Sequence, residues 1–380
     1  IWFPISIAIG SWVTGFIFAR DYHKLQGITL PAFLQLRFDN KTRYAAVISN
    51  MIYCLFVFVI EIFTLSMLFL SIFPGITLTL AAIISLLVCV LTSAFSGILG
   101  ASKTNVIHSL MIIGAFFLSF MVLFKSQGSY SRAFTQMQQL LSGLPNEGIT
   151  FAEWISPIGL GWGVVGQILL AKVGRLGGIS SVSNITASCE TEEEAVRAFV
   201  YAGFLSAIIA FLSSSIGIFT AAYLGEKIID IPVYSAIGIA LKDINIFIAS
   251  FFFAALSAAI ISTYGPTSVS FASVFVEDIL MKVVKIPKPV SRWYYTLPII
   301  IVSVLCTLYV IIIGIEHIMP FVFATAFPST IPTTIVLLFG IKSKATSKRG
   351  AFWAIVSGVV VSLTWGLVLN NPFGIPNIIV

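Results

Sequence analysis

The chain has 380 residues, of which 58% are hydrophobic and 9% charged, with a formal net charge of +6. Soluble domains carry about 25% charged residues, so this composition excludes a water-covered globular protein. The apolar runs are long and do not alternate over roughly 10 residues as barrel strands do, so the chain reads as an all-α polytopic membrane protein. Its positive charge reads as basic inner loops and not as a nucleic-acid surface.

In chain order, apolar runs of about 20 residues predict ten spans. They fall at 1–19, 45–72, 77–99, 104–125, 154–171, 198–223, 244–263, 293–314, 318–341 and 350–369. A polar, Gln-rich loop is expected at 126–153. A second loop, at 224–243, carries Pro232 and a short amphipathic pattern. Both ends lie in apolar sequence, so the reading expects a window on a longer protein, with at least one span before residue 1.

Most Lys and Arg residues fall on one set of loops. They include Arg20 and Lys24, Arg37 to Arg43, Lys172, Arg175 and Arg197, Lys282 to Arg292, and Lys342 to Arg349. The positive-inside rule places these loops in the cytoplasm. Thr191 followed by Glu194 reads as a capping box opening the helix of the sixth span. Cys54, Cys89, Cys189 and Cys306 form no CxxC pair, which argues against a disulfide framework or a zinc site.

The chain contains no HExxH, Walker A or GxSxG motif, and no catalytic pair is visible, so an enzyme is not expected. Gly161-Trp-Gly163-Val-Val-Gly166 fits GxGxxG, but a dinucleotide site needs that motif between a strand and a helix. The run from Pro157 to Gln167 reads instead as a weak or broken helix. Its glycines either allow close helix packing or free backbone groups for a ligand. Glu61 lies inside the second span, where a charge is costly and should face the bundle interior. It is either a partner for a cation, a proton or a substrate ammonium, or a neutral carboxyl bonded to a neighbouring helix.

Residues 256–278 raise the sharpest question. Ser262 and Thr263 would ordinarily bond back to their own helix. Pro266, however, cannot donate to the carbonyl of Ser262, and its ring disfavours regular helix there. The i, i+3, i+4 spacing of Ala259, Ser262 and Thr263 places a carbonyl and two hydroxyls on one face. Three neutral oxygens suit a hard alkali cation, and a second helix would have to complete the site.

Four segments carry a resemblance. ITLPAFLQLRFDNKTRYAAV, FSGILGASKTNVIHSLMIIG, LSAAIISTYGPTSVSFASVFVEDILMK and SKRGAFWAIVSGVVVSLTWG occur in the order and spacing of motifs of the sodium:solute symporter family. This family includes the sodium–glucose, sodium–proline and sodium–pantothenate carriers. The resemblance implies a LeuT-type bundle of two inverted five-helix repeats. The first core helix would precede residue 1, and residues 1–380 would form a single transmembrane transporter domain truncated at both ends. It implies sodium at Ala259, Ser262 and Thr263, and a solute near the broken helices, at Trp162, Gly163 and Gln167, with Glu61 as a contributor. The departures are Thr104-Asn105 and His108 where the family has TDxxQ, Asp39 where it has Gly, and Glu61 itself.

The expected function is sodium-coupled symport of a small polar solute (a sugar, amino acid, vitamin or monocarboxylate) across a plasma-membrane bilayer, with no organic cofactor. The alternatives are a proton-coupled or uniporting carrier of the same fold, and a sodium-sensing membrane module without net transport.

Overall fold

In oil a backbone N–H or C=O finds no water, so each long apolar run satisfies itself as a helix. A computed structural model of the chain describes residues 2–25, 29–73, 75–93, 97–142, 162–286 and 290–369, and no strand occurs among them. The helices are α1 (Trp2–His23), α2 (Leu30–Arg37), α3 (Asn40–Ile72), α4 (Leu78–Ser93), α5 (Gly97–Gln127) and α6 (Tyr130–Ser142). They continue as α7 (Trp162–Leu176), α8 (Ser180–Ala187), α9 (Glu192–Leu224), α10 (Lys227–Asp230) and α11 (Val233–Ile244). Last come α12 (Ile246–Val274), α13 (Trp293–Ile313), α14 (Ile315–Lys342) and α15 (Lys348–Leu363). α12 runs on into a π-helical turn, Phe275–Val284.

Each predicted span has a helix. Among the described residues, six stretches are long and apolar enough to cross a bilayer: Asn40–Ile72, Thr104–Gln127, Glu192–Leu224, Ile246–Val284, Trp293–Ile313 and Lys348–Val368. Caps begin the long helices where the sequence supplies them. The backbone N–H of Glu194 donates to Thr191 Oγ1 at 3.1 Å, and the Glu194 carboxylate accepts from Glu190 N at 3.2 Å. The expected capping box is therefore present, its return bond shifted by one residue. Asp39 caps α3 by accepting from the backbone N–H and hydroxyl of Thr42, both at 2.8 Å. This explains the acid where the family pattern has glycine, since both residue types suit an N-cap.

Packing follows a two-fold pattern. α3 packs on α4, α12, α13 and α14, while α12 packs on α13, α3, α4 and α5. Exchanging α1 with α9, α3 with α12, α4 with α13 and α5 with α14 maps these neighbours onto one another. α1 against α9 and α4 against α13 map onto themselves. The short helices obey the same exchange. α2 leads through Phe38 and Asp39 into α3, and α11 leads through Asn245, the N-cap of α12, into α12. Two repeats of helices, each with a short helix before its long central one, are thus written into one chain.

Small residues allow the close approaches that hold helices together in lipid. A Cβ on Gly178 would meet Thr334 Oγ1 at 2.7 Å. A central cluster joins Phe58 and Ile62 of α3 to Ile260 and Tyr264 of α12 and to Val310 of α13. The Phe58 and Tyr264 rings lie 5.0 Å apart.

Three expectations need correction. The seventh predicted span does not end near residue 263, because α12 and its π turn continue to Val284. Pro266 does not break it. Thr267 Oγ1 donates to Thr263 O at 2.9 Å and Ser268 Oγ to Gly265 O at 2.8 Å, so the hydroxyls beside the ring fold back onto the helix without reaching Ser262 O, the carbonyl that Pro266 leaves without its usual donor. The loop expected at 126–153 holds α6, an amphipathic helix whose Tyr130 packs 4.8 Å from Phe219 and bonds Ser215 at 2.8 Å.

Candidate cation and solute sites

Helix α12 is set by Asn245, which accepts from the backbone N–H groups of Phe247 and Ile248 at 3.0 and 3.2 Å. Four turns further on, Ala259, Ser262 and Thr263 share one face. Ser262 Oγ donates to Ala259 O at 2.7 Å, and Thr263 Oγ1 donates to the same oxygen at 3.3 Å. The carbonyl and both hydroxyls are therefore gathered at one point, as the spacing predicts. Ser262 is half-buried and Thr263 exposed. Tyr264, buried on the opposite side, bonds Ser303 of α13 and fixes the rotation of the helix.

Of the other hydroxyls of this segment, Ser270 Oγ is buried with no hydrogen-bond partner among the described residues, and Ser257 bonds back to its own helix as Ser262 and Thr263 do. Thr267 and Ser268 close on their own helix, as noted above. The 259–263 cluster differs in bringing three oxygens together beside an exposed side chain, that of Thr263.

Glu61 sits on α3 two turns beyond Tyr53, and its carboxylate lies within electrostatic reach of Arg175 on α7. The Arg175 guanidinium carbon lies 5.8 Å from the centre of the Tyr53 ring. The carboxylate read as a possible contact for a cationic solute thus lies in the field of a cation of the protein itself. Arg175 and Lys172 were expected in a cytoplasmic loop. Both lie on α7, and Lys172 is only 4% exposed. The misreading has a simple cause: basic residues and glycines together look like a loop, but α7 continues through them and turns at Gly177-Gly178 against α14.

Trp162 opens α7 and is 68% exposed, with Gly163 and Gln167 in the next turns of backbone. Trp162 and Arg175 are about 20 Å apart along the helix axis. The structure therefore separates the predicted solute residues into an outer group at Trp162 and a deeper group around Glu61 and Arg175. Of the run from Pro157 to Gln167 expected as a weak or broken helix, Trp162 to Gln167 form the regular first turns of α7, and Pro157 to Gly161 lie outside the described residues.

Sequence reading missed a further polar centre. Arg43, 4% exposed, donates to the fully buried Asp278 and also to Gln35. Thr29 Oγ1 donates to the other Asp278 oxygen at 3.0 Å. A signal was present in two of the four motif segments: RFDNKTR ends on Arg43, at the start of a long apolar run, and VFVEDI places Asp278 just after one, so a basic and an acidic residue flank apolar spans.

No curated protein matches this chain. Among solved structures it resembles a Na+-coupled sialic acid symporter, described in a substrate-bound outward-open state with a novel Na+-site. The TM-score is 0.73 at 21% identity, covering 98% of this chain and 80% of that one. That likeness establishes the LeuT-type fold, in agreement with the exchange symmetry of the helix neighbours. The sodium:solute symporter family profile matches residues 1–358. With four motif segments in order, an inverted-repeat bundle and a match over nearly its whole length, this integral membrane protein belongs to the sodium:solute symporter family.

Proposed function

We propose that the protein couples inward sodium movement to uptake of a small polar organic solute by alternating access, in the plasma membrane. One observation carries this reading: Ala259 O, Ser262 Oγ and Thr263 Oγ1 converge on one face of α12. These are neutral hard oxygens, the donor type a dehydrated sodium ion takes. To receive the ion, both hydroxyls must turn their protons away from Ala259 O, so that three lone pairs face one point. Each bond given up is worth about 1 kcal/mol, a small cost beside ion–oxygen contacts. Further oxygens would come from another helix. Sodium would then tie α12 to that helix and favour the outward-open state, to the extent that it binds that state more tightly.

The solute would contact the opening of α7, at Trp162, Gly163 and Gln167. In this reading Glu61 balances Arg175 within the bundle and takes part in solute binding through that cation.

The test is thermal stability of the full-length protein in NaCl and in KCl at equal ionic strength, for wild type and Ser262→Ala/Thr263→Ala. A sodium-specific rise in melting temperature that the double variant loses supports the site through mass-action linkage. A rise that the double variant retains would sink the assignment. No sodium effect in the wild type would favour proton coupling or uniport. Radiolabelled sodium uptake into proteoliposomes separates transport from sodium sensing without net movement.

A further inference from the structure

The outer face of the π turn carries a feature unrelated to the cation site. An open groove of about 440 Å³ runs between the π turn and α13, lined by Phe271, Phe275 and Leu280 on one wall and Trp293, Leu297 and Ile301 on the other. Its volume falls in the range of about 300–1,000 Å³ typical of ligand sites. Its walls are almost wholly apolar, and it opens outward from the bundle.

Its depth and its mouth identify the occupant. From Trp293 to Ile301 the groove descends about 12 Å along α13. One leaflet of hydrocarbon is roughly 15 Å deep, half of a core of about 30 Å. The upper end lies at the loop that the charge distribution places in the cytoplasm. Trp293 and Tyr294 stand there as interfacial aromatics, both exposed. The Arg292 guanidinium carbon lies 5.7 Å from the centre of the Trp293 ring, directly over the groove's own wall. Lys282 and Lys285 follow Leu280 within the next five residues and are exposed. Lys285 adopts a left-handed conformation (φ 60°), and its backbone N–H donates to Leu280 O, ending the π turn at the groove's edge. Of the acids on this turn, Asp278 is spent on Arg43 in the interior, leaving Glu277 against three cations. The segment that flanks the mouth, from Glu277 to Arg292, is therefore net positive among the described residues.

We infer that this groove is a binding site for an anionic phospholipid of the cytoplasmic leaflet. One acyl chain lies between the π turn and α13, and the headgroup phosphate lies against Lys282, Lys285 and Arg292. An apolar slot of leaflet depth accepts an acyl chain of any phospholipid. The three cations select the anionic headgroup, as basic clusters beside a membrane do. The π turn supplies both halves of the arrangement. Its inner face is pinned by Asp278, and its outer face presents Phe275 and Leu280.

The experiment is native mass spectrometry of the full-length protein extracted from nanodiscs of mixed phosphatidylglycerol and phosphatidylcholine. Retention of bound phosphatidylglycerol in preference to phosphatidylcholine is expected. Lys282→Gln/Lys285→Gln/Arg292→Gln, all at exposed positions, should abolish that preference, lowering apparent affinity on the order of 100-fold. Ile301→Trp, which fills the slot and leaves the charges intact, should lower retention of both lipids. Equal retention of the two lipids by the wild type would overturn the inference, as would a preference that survives the triple substitution. Displacement of the lipid by millimolar glycerol phosphate, which has a headgroup but no chain, would overturn the role of the groove.

Discussion

Arg43 and Asp278 form a buried ion pair across 235 positions of sequence, joining the start of α3 to the π turn that ends α12. Gln35 accepts from the same guanidinium and Thr29 donates to the same carboxylate, so both charges are hydrogen-bonded from several sides. A buried pair of this kind costs far more to halve than to remove. Arg43→Met or Asp278→Leu alone should destabilise the protein by about 3–5 kcal/mol, and the double variant Arg43→Met/Asp278→Leu by clearly less than the sum. Thermal unfolding of all four proteins in one detergent closes that cycle; additive losses would show that the two charges do not act as a pair.

At the cation site the prediction separates hydroxyl from shape. Thr263→Ser keeps the oxygen and should retain sodium-dependent stabilisation. Thr263→Val keeps the shape and should lower sodium affinity about 10-fold or more, the scale of one contact to a charge. Stability in KCl should be nearly unchanged in both, because the bond lost is a long one of 3.3 Å within one helix. Sodium titration of the melting temperature reads the difference.

Asp39 gives a pH signature outside the membrane. The backbone N–H of Thr42, with help from its hydroxyl and from Lys348 and Lys41, holds this carboxyl below its ordinary value. A depressed value in the folded state means that the cap stabilises fully above the unfolded value and is lost as pH falls through the folded one. Asp39→Ala should cost about 1 kcal/mol at neutral pH. The gap between the two proteins should close as the pH is lowered below the ordinary carboxylate range. A gap that stays constant on acidification would remove Asp39 from the capping role.

Glycine substitutions discriminate packing from propensity. A methyl on Gly178 meets Thr334 Oγ1 at 2.7 Å and Thr334 N at 3.2 Å, so Gly178→Ala should cost about 1–3 kcal/mol by forcing α14 away. Gly217 lies within α9 with nothing within 4 Å of the same added atom. Gly217→Ala should be neutral or stabilising by up to about 1 kcal/mol. Equal effects in unfolding measurements would contradict the close approach at Gly178.

Glu61 and Arg175 should behave as a coupled pair. Glu61→Gln leaves the cation beside Tyr53 without its nearby carboxylate, and Arg175→Met leaves the carboxylate without its cation. The double variant should be more stable than the sum of the singles allows, by about 1 kcal/mol or more. Independent effects in thermal unfolding would return Glu61 to the role of a lone acid facing solute or proton.

The sequence by itself determined whatever depends on neighbours within a few turns. Runs of apolar residues set the long helices, because a backbone in oil has no partner except itself. Thr191 and Glu194 set a helix start, and the spacing of Ala259, Ser262 and Thr263 brought three oxygens to one face, because helix geometry fixes positions three and four residues apart. Tertiary structure alone decided the rest. Lys172 and Arg175 look like loop charges until α1 and α14 pack around α7. Glu61 looks like a solitary acid until Arg175 arrives from more than a hundred residues away. Arg43 and Asp278 look like two interfacial charges until the inverted repeats bring α3 and α12 together. Pro266 looks like a break until the packing of α3, α4, α5 and α13 around α12 keeps that helix continuous through it. The partner of a charge in a membrane is chosen by which helices touch, and that choice belongs to the packing of the bundle, not to any local run of residues.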